Sequence, residues 1–157
     1  MDDPQPKLSL PLLHRGVGGP VRIYIAASLI SRDRMRQERG KLKRQGHEVV
    51  SSWLNEKKRP RGLPLKEWHF RLALKDVWEL QSADLVLVDL FDVSTTGGRD
   101  TELGIALGCG IIVGTVGFVE SVFHELADFQ FRVWDEVHAW LRERQRGARP
   151  RAQKCLQ

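Results

Sequence analysis

One segment, residues 84–90, constrains the fold of this chain more than any other. Its sequence, DLVLVDL, is apolar apart from the two acids at positions 84 and 89. Strands that are covered by helices on both faces of a parallel sheet have continuous apolar runs of this kind, whereas half-exposed strands alternate between apolar and polar residues. The segment is therefore predicted to be an inner strand of a parallel sheet.

Segments with strand character alternate with segments of helical character along most of the chain. Strands are predicted at residues 21–27, 47–51, 84–90, 110–114 and 131–133, and helices at residues 32–44, 65–82, 99–108 and 134–144. Consecutive β-α-β units give a parallel sheet with helices on both faces. The sequence therefore predicts an α/β fold, in which two layers of helices enclose a central, mostly parallel sheet of five strands.

The two ends of the chain differ in composition from this alternating part. Residues 1–20 are rich in proline and glycine and show no periodicity, so we predict a flexible lead-in there. One domain is predicted over residues 21–145, followed by a basic tail over residues 146–157. No apolar run reaches the roughly 20 residues that a membrane helix needs, and no secretory leader is expected. Two cysteines, Cys109 and Cys155, do not indicate a disulfide framework, so a cytoplasmic location is expected.

The net charge of +5 raises the question of nucleic-acid binding. Much of the positive charge lies in the tail and in residues 57–61, and neither region has interleaved aromatic residues or a known binding module. Charge runs of this kind are usually solvated surfaces, so polynucleotide binding is not expected, although the basic tail keeps that alternative open. A small anionic ligand is compatible with the charge.

Three loops are expected to meet at the carboxyl ends of the strands, where parallel sheets bind their ligands: residues 27–30, 89–98 and 114–121. The second loop ends in STTGG at residues 94–98 and continues into a helix. Hydroxyl groups and glycines at a helix N-terminus suit an anion such as phosphate. The loop lacks the lysine of a Walker motif and the glycine spacing of a dinucleotide-binding motif. Taken alone, it is a weak indication of an anion site.

Two carboxylates and a tyrosine are candidates for catalysis. Glu102 lies about one turn into the helix after this loop, where the helix dipole favours an ionised carboxylate, the form that attacks an anomeric carbon in retaining glycosidases. Asp76, on the preceding helix, would hold the sugar or protonate the departing base if burial raises its pKa. Each acid taken alone also fits an ordinary helix surface, and Tyr24, on the first predicted strand, fits a core role equally well.

Four motifs, in the same order and at the same spacing, are similar to those of the nucleoside 2-deoxyribosyltransferase superfamily, which includes the related nucleoside 5′-monophosphate N-glycosidases. They are RIYIAAS at residues 22–28, Asp76 ahead of ADLVLV at 83–88, GGRDTELGIAL at 97–107, and SVF at 121–123 followed by WDE at 134–136. The third motif is the most specific, because its glycines, Glu-Leu-Gly and Ala-Leu recur together in that family. The resemblance covers residues 21–141.

This resemblance implies a flavodoxin-like or Rossmann-like three-layer sandwich and an enzyme that needs neither a cofactor nor a metal. Glu102 would be the nucleophile that takes the (deoxy)ribosyl group covalently and passes it to another base or to water. Asp76 and Tyr24 match the active-site aspartate and tyrosine of the family. The residues that would bind the nucleoside or nucleotide are Ser28, Ser94, Thr96, Gly97 and Gly98. A neighbouring subunit completes family sites, so a homodimer or larger homo-oligomer is implied, with Ser121 in the contributed segment.

Two departures from the family pattern bear on the substrate. Transferase members often carry an acid six residues before the nucleophile, and Thr96 occupies that place here, which favours a nucleoside monophosphate and hydrolysis. Asp100 stands where many members have a small residue, and its charge would disfavour a phosphate bound very close by. A non-catalytic nucleotide-binding or sensing module of the same fold is the alternative, since a fold does not fix a function. The joint presence of Glu102, Asp76 and Tyr24 argues against it.

Overall fold

The computed structural model describes residues 18–94 and 96–147. Within them the strands are β1 (Arg22–Ala26), β2 (Glu48–Val49), β3 (Leu85–Asp89), β4 (Ile112–Val116) and β5 (Phe129–Phe131). The helices are α1 (Arg32–Arg44), α2 (Leu65–Gln81), α3 (Gly98–Gly108) and α4 (Trp134–Gly147), and short 3₁₀ helices cover Leu29–Ser31, Ser52–Asn55 and Val122–Leu126. Thr95, most of the predicted lead-in and most of the predicted tail lie outside the described residues.

The strands form one sheet in the order β2-β1-β3-β4-β5, and every neighbouring pair is parallel. Helix α1 packs against α4, and α2 packs against α3, so that two helical layers enclose the sheet. From β1 the chain continues to β2 at one edge of the sheet, and from β3 it continues to β4 in the direction of the opposite edge. The strand order therefore reverses between β1 and β3, and the predicted three-layer α/β sandwich is confirmed.

The core lies around the central strands. Every residue of β3 and β4 is buried, and the side chains of Leu85–Asp89 are fully excluded from solvent. An apolar strand covered on both faces removes its full side-chain area from water, at roughly 25 cal/mol per Å² of apolar surface. This burial explains why residues 84–90 are the clearest strand signal in the sequence.

All five strands differ from their predicted bounds by one or two residues at each end. Strands β1, β2 and β3 lie inside the predicted segments, whereas β4 and β5 are shifted along the chain because the turn of a neighbouring helix includes the predicted residues. Strand β4 begins at Ile112 rather than at residue 110, because Gly110 has a φ of +67° and its N–H donates to the carbonyl of Leu107 in the turn that ends α3. Strand β5 is Phe129–Phe131 rather than residues 131–133, because the N–H of Arg132 already donates to the Glu136 side chain in the first turn of α4.

Among the described residues, no helix has the length and apolar character needed to cross a membrane.

Candidate active site

A crevice lies beside the point where the strand order reverses, where parallel sheets bind their ligands. Two adjoining cavities of about 210 and 170 Å³ make up the crevice. Both are lined by Asp76 from α2, by Thr96 from the β3–α3 loop, and by Gly98 and Glu102 from α3. The structure therefore brings together four of the predicted site residues, which come from three separate segments of the chain.

The two cavities differ in the residues that complete them. The larger cavity is completed by the mostly apolar set Ala73, Val77, Leu80, Thr101 and Ile105, contributed by α2 and α3. The smaller cavity is completed by Ala27, Leu29, Trp53 and Arg99. Asp76 and Glu102 are therefore accessible from both cavities.

A hydrogen bond from Tyr24 holds Glu102 at the wall of the crevice. The Tyr24 hydroxyl, on the fully buried side chain of the middle residue of β1, donates to Oε1 of Glu102 at 2.6 Å. Burial, followed by the negative charges of Glu102 and Asp76, raises the pKa of Tyr24 above its ordinary range, so the phenol stays protonated as a donor. A charge-assisted hydrogen bond of this kind holds the carboxylate in one orientation.

Burial dominates the acidity of both carboxyl groups. It raises the pKa of Glu102 to about 8, with a further contribution from Asp76 and an opposing one from the Tyr24 hydroxyl. It also raises the pKa of Asp76 to about 6, partly offset by Lys75 and reinforced by Glu79 and Glu56. Near neutral pH the pair therefore holds about one proton, shared between coupled groups.

The helix dipole at the N-terminus of α3 favours an ionised Glu102, but in the ligand-free crevice burial of this side chain has the larger effect. The helix dipole contributes up to about 1 kcal/mol at an exposed position, whereas desolvation shifts the pKa of a buried carboxyl by several units. Asp76 shows the same cost of burial, because its Oδ1 is buried and makes no hydrogen bond within the described residues. An unpaired buried oxygen of this kind favours a ligand that brings a donor.

The remaining predicted binding residues lie outside the two cavities. Ser28 is buried at the end of β1 and its carbonyl accepts from the N–H of Ser31. Ser94 is half-buried in the loop before Thr95. Gly97 precedes α3 with a φ of +70°, which L-residues rarely adopt, and it therefore shapes the turn. Ser121 accepts from the N–H of Phe123 on the far side of α3, where it lines a separate cavity with Asp100.

Three residues near the crevice make contacts that the sequence does not indicate. Trp53, the tryptophan after β2, donates from Nε1 to the carbonyl of Ile25 at 2.8 Å while lining the smaller cavity. Arg32 lies over the Trp53 ring at 5.9 Å, and its Nε is buried without a hydrogen-bond partner among the described residues. Arg99 is buried in the first turn of α3. Only its place inside the third motif could have pointed to it.

No group of three or more His, Cys, Asp or Glu side chains that could hold a metal ion occurs in residues 18–94 and 96–147.

Comparison with known proteins bears on the fold. No family model matches the chain, and no curated protein matches it. Among solved structures, a 2-deoxyribosyltransferase from Bacillus psychrosaccharolyticus is 21% identical, with a TM-score of 0.62 over 76% of this chain and 95% of its own. A conserved protein from Enterococcus faecalis V583 is 14% identical, with a TM-score of 0.61 over 80% of this chain and 99% of its own. A CMP N-glycosidase from Clostridium botulinum is 16% identical, with a TM-score of 0.48 over 78% of this chain and 98% of its own.

At identities of 21% and 14%, the first two similarities show a shared fold. They extend over almost the full length of both neighbours and over most of the described part of this chain. The chain therefore shares the fold of that 2-deoxyribosyltransferase structure, which is the fold that its four motifs imply.

Proposed function

We propose that the chain breaks or exchanges the N-glycosidic bond of a (deoxy)nucleoside or its 5′-monophosphate through a covalent glycosyl intermediate on Glu102. The observation that carries this proposal is the presence of Asp76 and Glu102 on the wall of one crevice, with the buried Tyr24 hydroxyl bonded to Glu102 at 2.6 Å. A purely non-catalytic binder gains nothing from burying two coupled carboxyl groups, each of which costs stability. The structural neighbour named a 2-deoxyribosyltransferase supports the same chemistry.

In the proposed first step, Glu102 attacks as a carboxylate. Because Tyr24 engages Oε1, the attack on the sugar C1′ falls to Oε2, and the C1′–N bond breaks as the ester bond forms. The electron pair of the broken bond stays on the base nitrogen, which takes a proton directly or indirectly from Asp76. In the second step of hydrolysis, water gives a proton to Asp76 and attacks C1′, which releases Glu102. In a transfer reaction, a second base gives its proton to Asp76 and attacks C1′ in place of water.

This scheme requires one proton on the pair, located on Asp76, when the bond breaks. The raised pKa values of both groups keep one proton in the crevice near neutral pH. In the ligand-free crevice the higher pKa of Glu102, about 8 against about 6 for Asp76, places this proton on Glu102, so the scheme requires its transfer to Asp76 once substrate is bound. The Tyr24 hydrogen bond lowers the pKa of Glu102 and so assists this transfer. Two carboxyl groups whose environments separate their roles are a recurrent solution in glycoside cleavage.

Within this reaction class we propose a 5′-monophosphate as the substrate. Thr96 and Gly98 line both cavities at the start of α3, where the N-cap residue, Gly97, offers no side chain to the N–H groups of the first turn. A phosphate is the ligand that such a helix N-terminus suits. The carboxylate of Asp100 lies outside both cavities, 3.4 Å from Nε of Arg99, and so does not oppose an anion there.

The test is a chromatographic screen of the protein against ribo- and deoxyribonucleosides and their 5′-monophosphates, each with and without a second free base. We expect free base from a monophosphate without an acceptor. In the variant Thr96→Asp, a carboxylate near the phosphate should lower kcat/KM for monophosphates by roughly tenfold or more relative to nucleosides. Base exchange only in the presence of an acceptor would establish a transferase. No release from any substrate, in a folded sample, would favour the binding module.

We further propose that the chain works as a homo-oligomer, because α2 is poorly covered by its own chain. Of its 17 residues only Leu80 is buried. Three large apolar side chains share its outer face at intervals of four residues: Phe70, Leu74 and Trp78, the last 74% exposed. Ala73 and Val77 line the larger cavity, so a second copy packed on α2 would also close the crevice.

The oligomeric state can be measured by sedimentation velocity. We expect a dimer or larger species for the wild type, and a shift toward monomer in Trp78→Glu, which places a charge on the apolar face. The matched control is Lys66→Glu, an exposed position on the same helix, which should leave the sedimentation coefficient unchanged. A wild-type monomer at enzyme-assay concentrations would contradict the proposal.

A further inference from the structure

A buried carboxylate that the proposed reaction does not use lies at the end of β3. Asp89 is fully excluded from solvent, and its carboxylate accepts four hydrogen bonds. Nη1 and Nη2 of Arg34 donate at 2.7 and 2.9 Å, Nε1 of Trp134 donates at 2.7 Å, and the N–H of Phe91 donates at 3.3 Å. An isolated buried carboxylate costs many kcal/mol, so this complete set of partners is what makes the position tolerable.

A second arginine, from the other helical layer, binds the same turn. Nη1 of Arg99 donates to the carbonyl oxygens of Asp89 at 3.2 Å and of Asp92 at 2.8 Å. Nη2 of Arg34 also donates to the Asp92 carboxylate at 2.8 Å, and the Ser31 hydroxyl donates to the same carboxylate oxygen at 2.5 Å. Arg34 belongs to α1 and Arg99 to α3. Arginines from the helical layers on both faces of the sheet therefore donate hydrogen bonds to Asp89 and Asp92.

This arrangement overrides two local preferences. Arg99 places a cation, only 5% exposed, in the first turn of α3, where the helix dipole favours an anion. Ser31 occupies the N-cap position of α1, yet its side chain makes no cap hydrogen bond and turns to Asp92 instead. Violations of local rules that serve one shared contact commonly mark a functional constraint.

The turn so held is the start of the loop that builds the crevice. Nine residues after Asp89 the chain begins α3 at Gly98, and Glu102 follows one turn later. Neither Arg34 nor Asp89 lines either cavity of the crevice. Their contacts can therefore reach the reaction through the path of the β3–α3 loop and through Arg99, which bonds the carbonyl of Asp89 and lines the smaller cavity.

We infer that Asp89 and Arg34 are positioning residues, which fix the β3–α3 loop so that Thr96, Gly98 and Glu102 stand against Tyr24 and Asp76. The kinetic part of this inference rests on the proposed function, whereas the structural part, the ordering of the loop, does not. Displacing a reacting group by about 1 Å costs on the order of 10²-fold in rate even when the change lies far from the chemistry. The effect falls on kcat more than on KM, because alignment matters most at bond breaking.

The experiment compares Asp89→Asn, Arg34→Met and Arg34→Lys with the wild type. Asp89→Asn and Arg34→Met should lower kcat by roughly 10²-fold with little change in KM, while Arg34→Lys, which keeps the charge and one donor, should recover part of the rate. The control is Asp33→Asn, which breaks the exposed Asp33–Arg36 ion pair on the same helix and should change kcat less than twofold.

Amide hydrogen exchange supplies the readout that does not depend on activity. In Asp89→Asn and Arg34→Met the amides of residues 96–101 should exchange roughly tenfold faster, while the amides of β1 and β4 keep their wild-type protection. Faster exchange with a wild type that turns over none of the substrates would refute the proposed function and uphold the loop ordering. Unchanged exchange at residues 96–101, or a loss of melting temperature with unchanged kcat, would overturn the inference. Arg34→Lys is the milder variant if the others fail to fold.

Discussion

Replacing Glu102 by glutamine is expected to lower kcat on the substrate found in the screen by roughly 10⁴-fold or more, because an amide cannot form the glycosyl ester. Substrate binding should be retained, since glutamine keeps the shape of the side chain and can still accept the Tyr24 hydrogen bond. The measurement is single-turnover release of free base, with binding followed separately by calorimetry.

The same substitution should raise the melting temperature at pH 8, which would show that a loss of activity is not a loss of the fold. The pKa of Glu102 is about 8 in the folded chain against an ordinary value of 4.5. Between these two values the folded state holds a proton that the unfolded state has lost, so stability falls as pH rises from about 4.5 to about 8. Glutamine has no proton to lose and removes this fall.

A control variant and two possible results complete the test of Glu102. The control is Glu143→Gln, an exposed position on α4, which should leave both kcat and the melting temperature at pH 8 close to the wild type. If Glu102→Gln retains wild-type turnover, Glu102 is not the nucleophile. If the variant is inactive and also less stable at pH 8, the residue stabilises the fold, and the raised pKa assigned to it is wrong.

Replacing Asp76 by asparagine is expected to lower kcat by roughly 10²- to 10⁴-fold, the usual contribution of a general acid. The loss should depend on the leaving base. A 7-methylguanosine 5′-monophosphate substrate carries a cationic base that departs without taking a proton, so the variant should lose far less activity on it. Equal losses on this substrate and on the unmethylated one would exclude Asp76 as the acid and leave it a role in holding the sugar.

The pH profile gives an independent test of the same assignment. The wild type should be most active between about 6 and about 8, where the pair holds one proton, and activity should fall on both sides. In Asp76→Asn only Glu102 titrates, and without the charge of Asp76 its pKa should lie below that in the wild type. The residual activity should therefore rise with pH to a plateau and show no alkaline fall. A bell-shaped profile in the variant would contradict the scheme.

Part of the site could be predicted from the sequence because its signals are local. Glu102 stands within a helix-opening motif, and Asp76 precedes the most apolar strand. Pattern alone fits ordinary surface acids at both positions, and the resemblance of the four motifs to a known family nominates them. Tyr24 is recognised by its place in the first strand. Ser28, Ser94, Gly97 and Ser121 are recognised in the same way, but the structure does not place them on the walls of the two cavities that Glu102 lines.

Other features could not be predicted, because they arise between segments that are distant in sequence. The charge state of Glu102 is one example: position in a helix predicts an anion, whereas burial between β1, α2 and α3 raises its pKa to about 8. The cluster around Asp89 is another. Its hydrogen bonds join Asp89 to Arg34, 55 positions away, and to Trp134, 45 positions away. No local pattern in the sequence indicates either pairing.

The sequence by itself determined the order of strands and helices and the parallel sheet, because apolar periodicity is written along the chain, and the resemblance of its motifs to a known family nominated the two carboxylates. Tertiary structure alone decided how acidic those carboxylates are, which loop residues line the crevice with them, and which buried contacts hold that loop. The physical reason is that desolvation and hydrogen-bond partnership depend on neighbours in space, and folding sets those neighbours only once the helical layers close over the sheet.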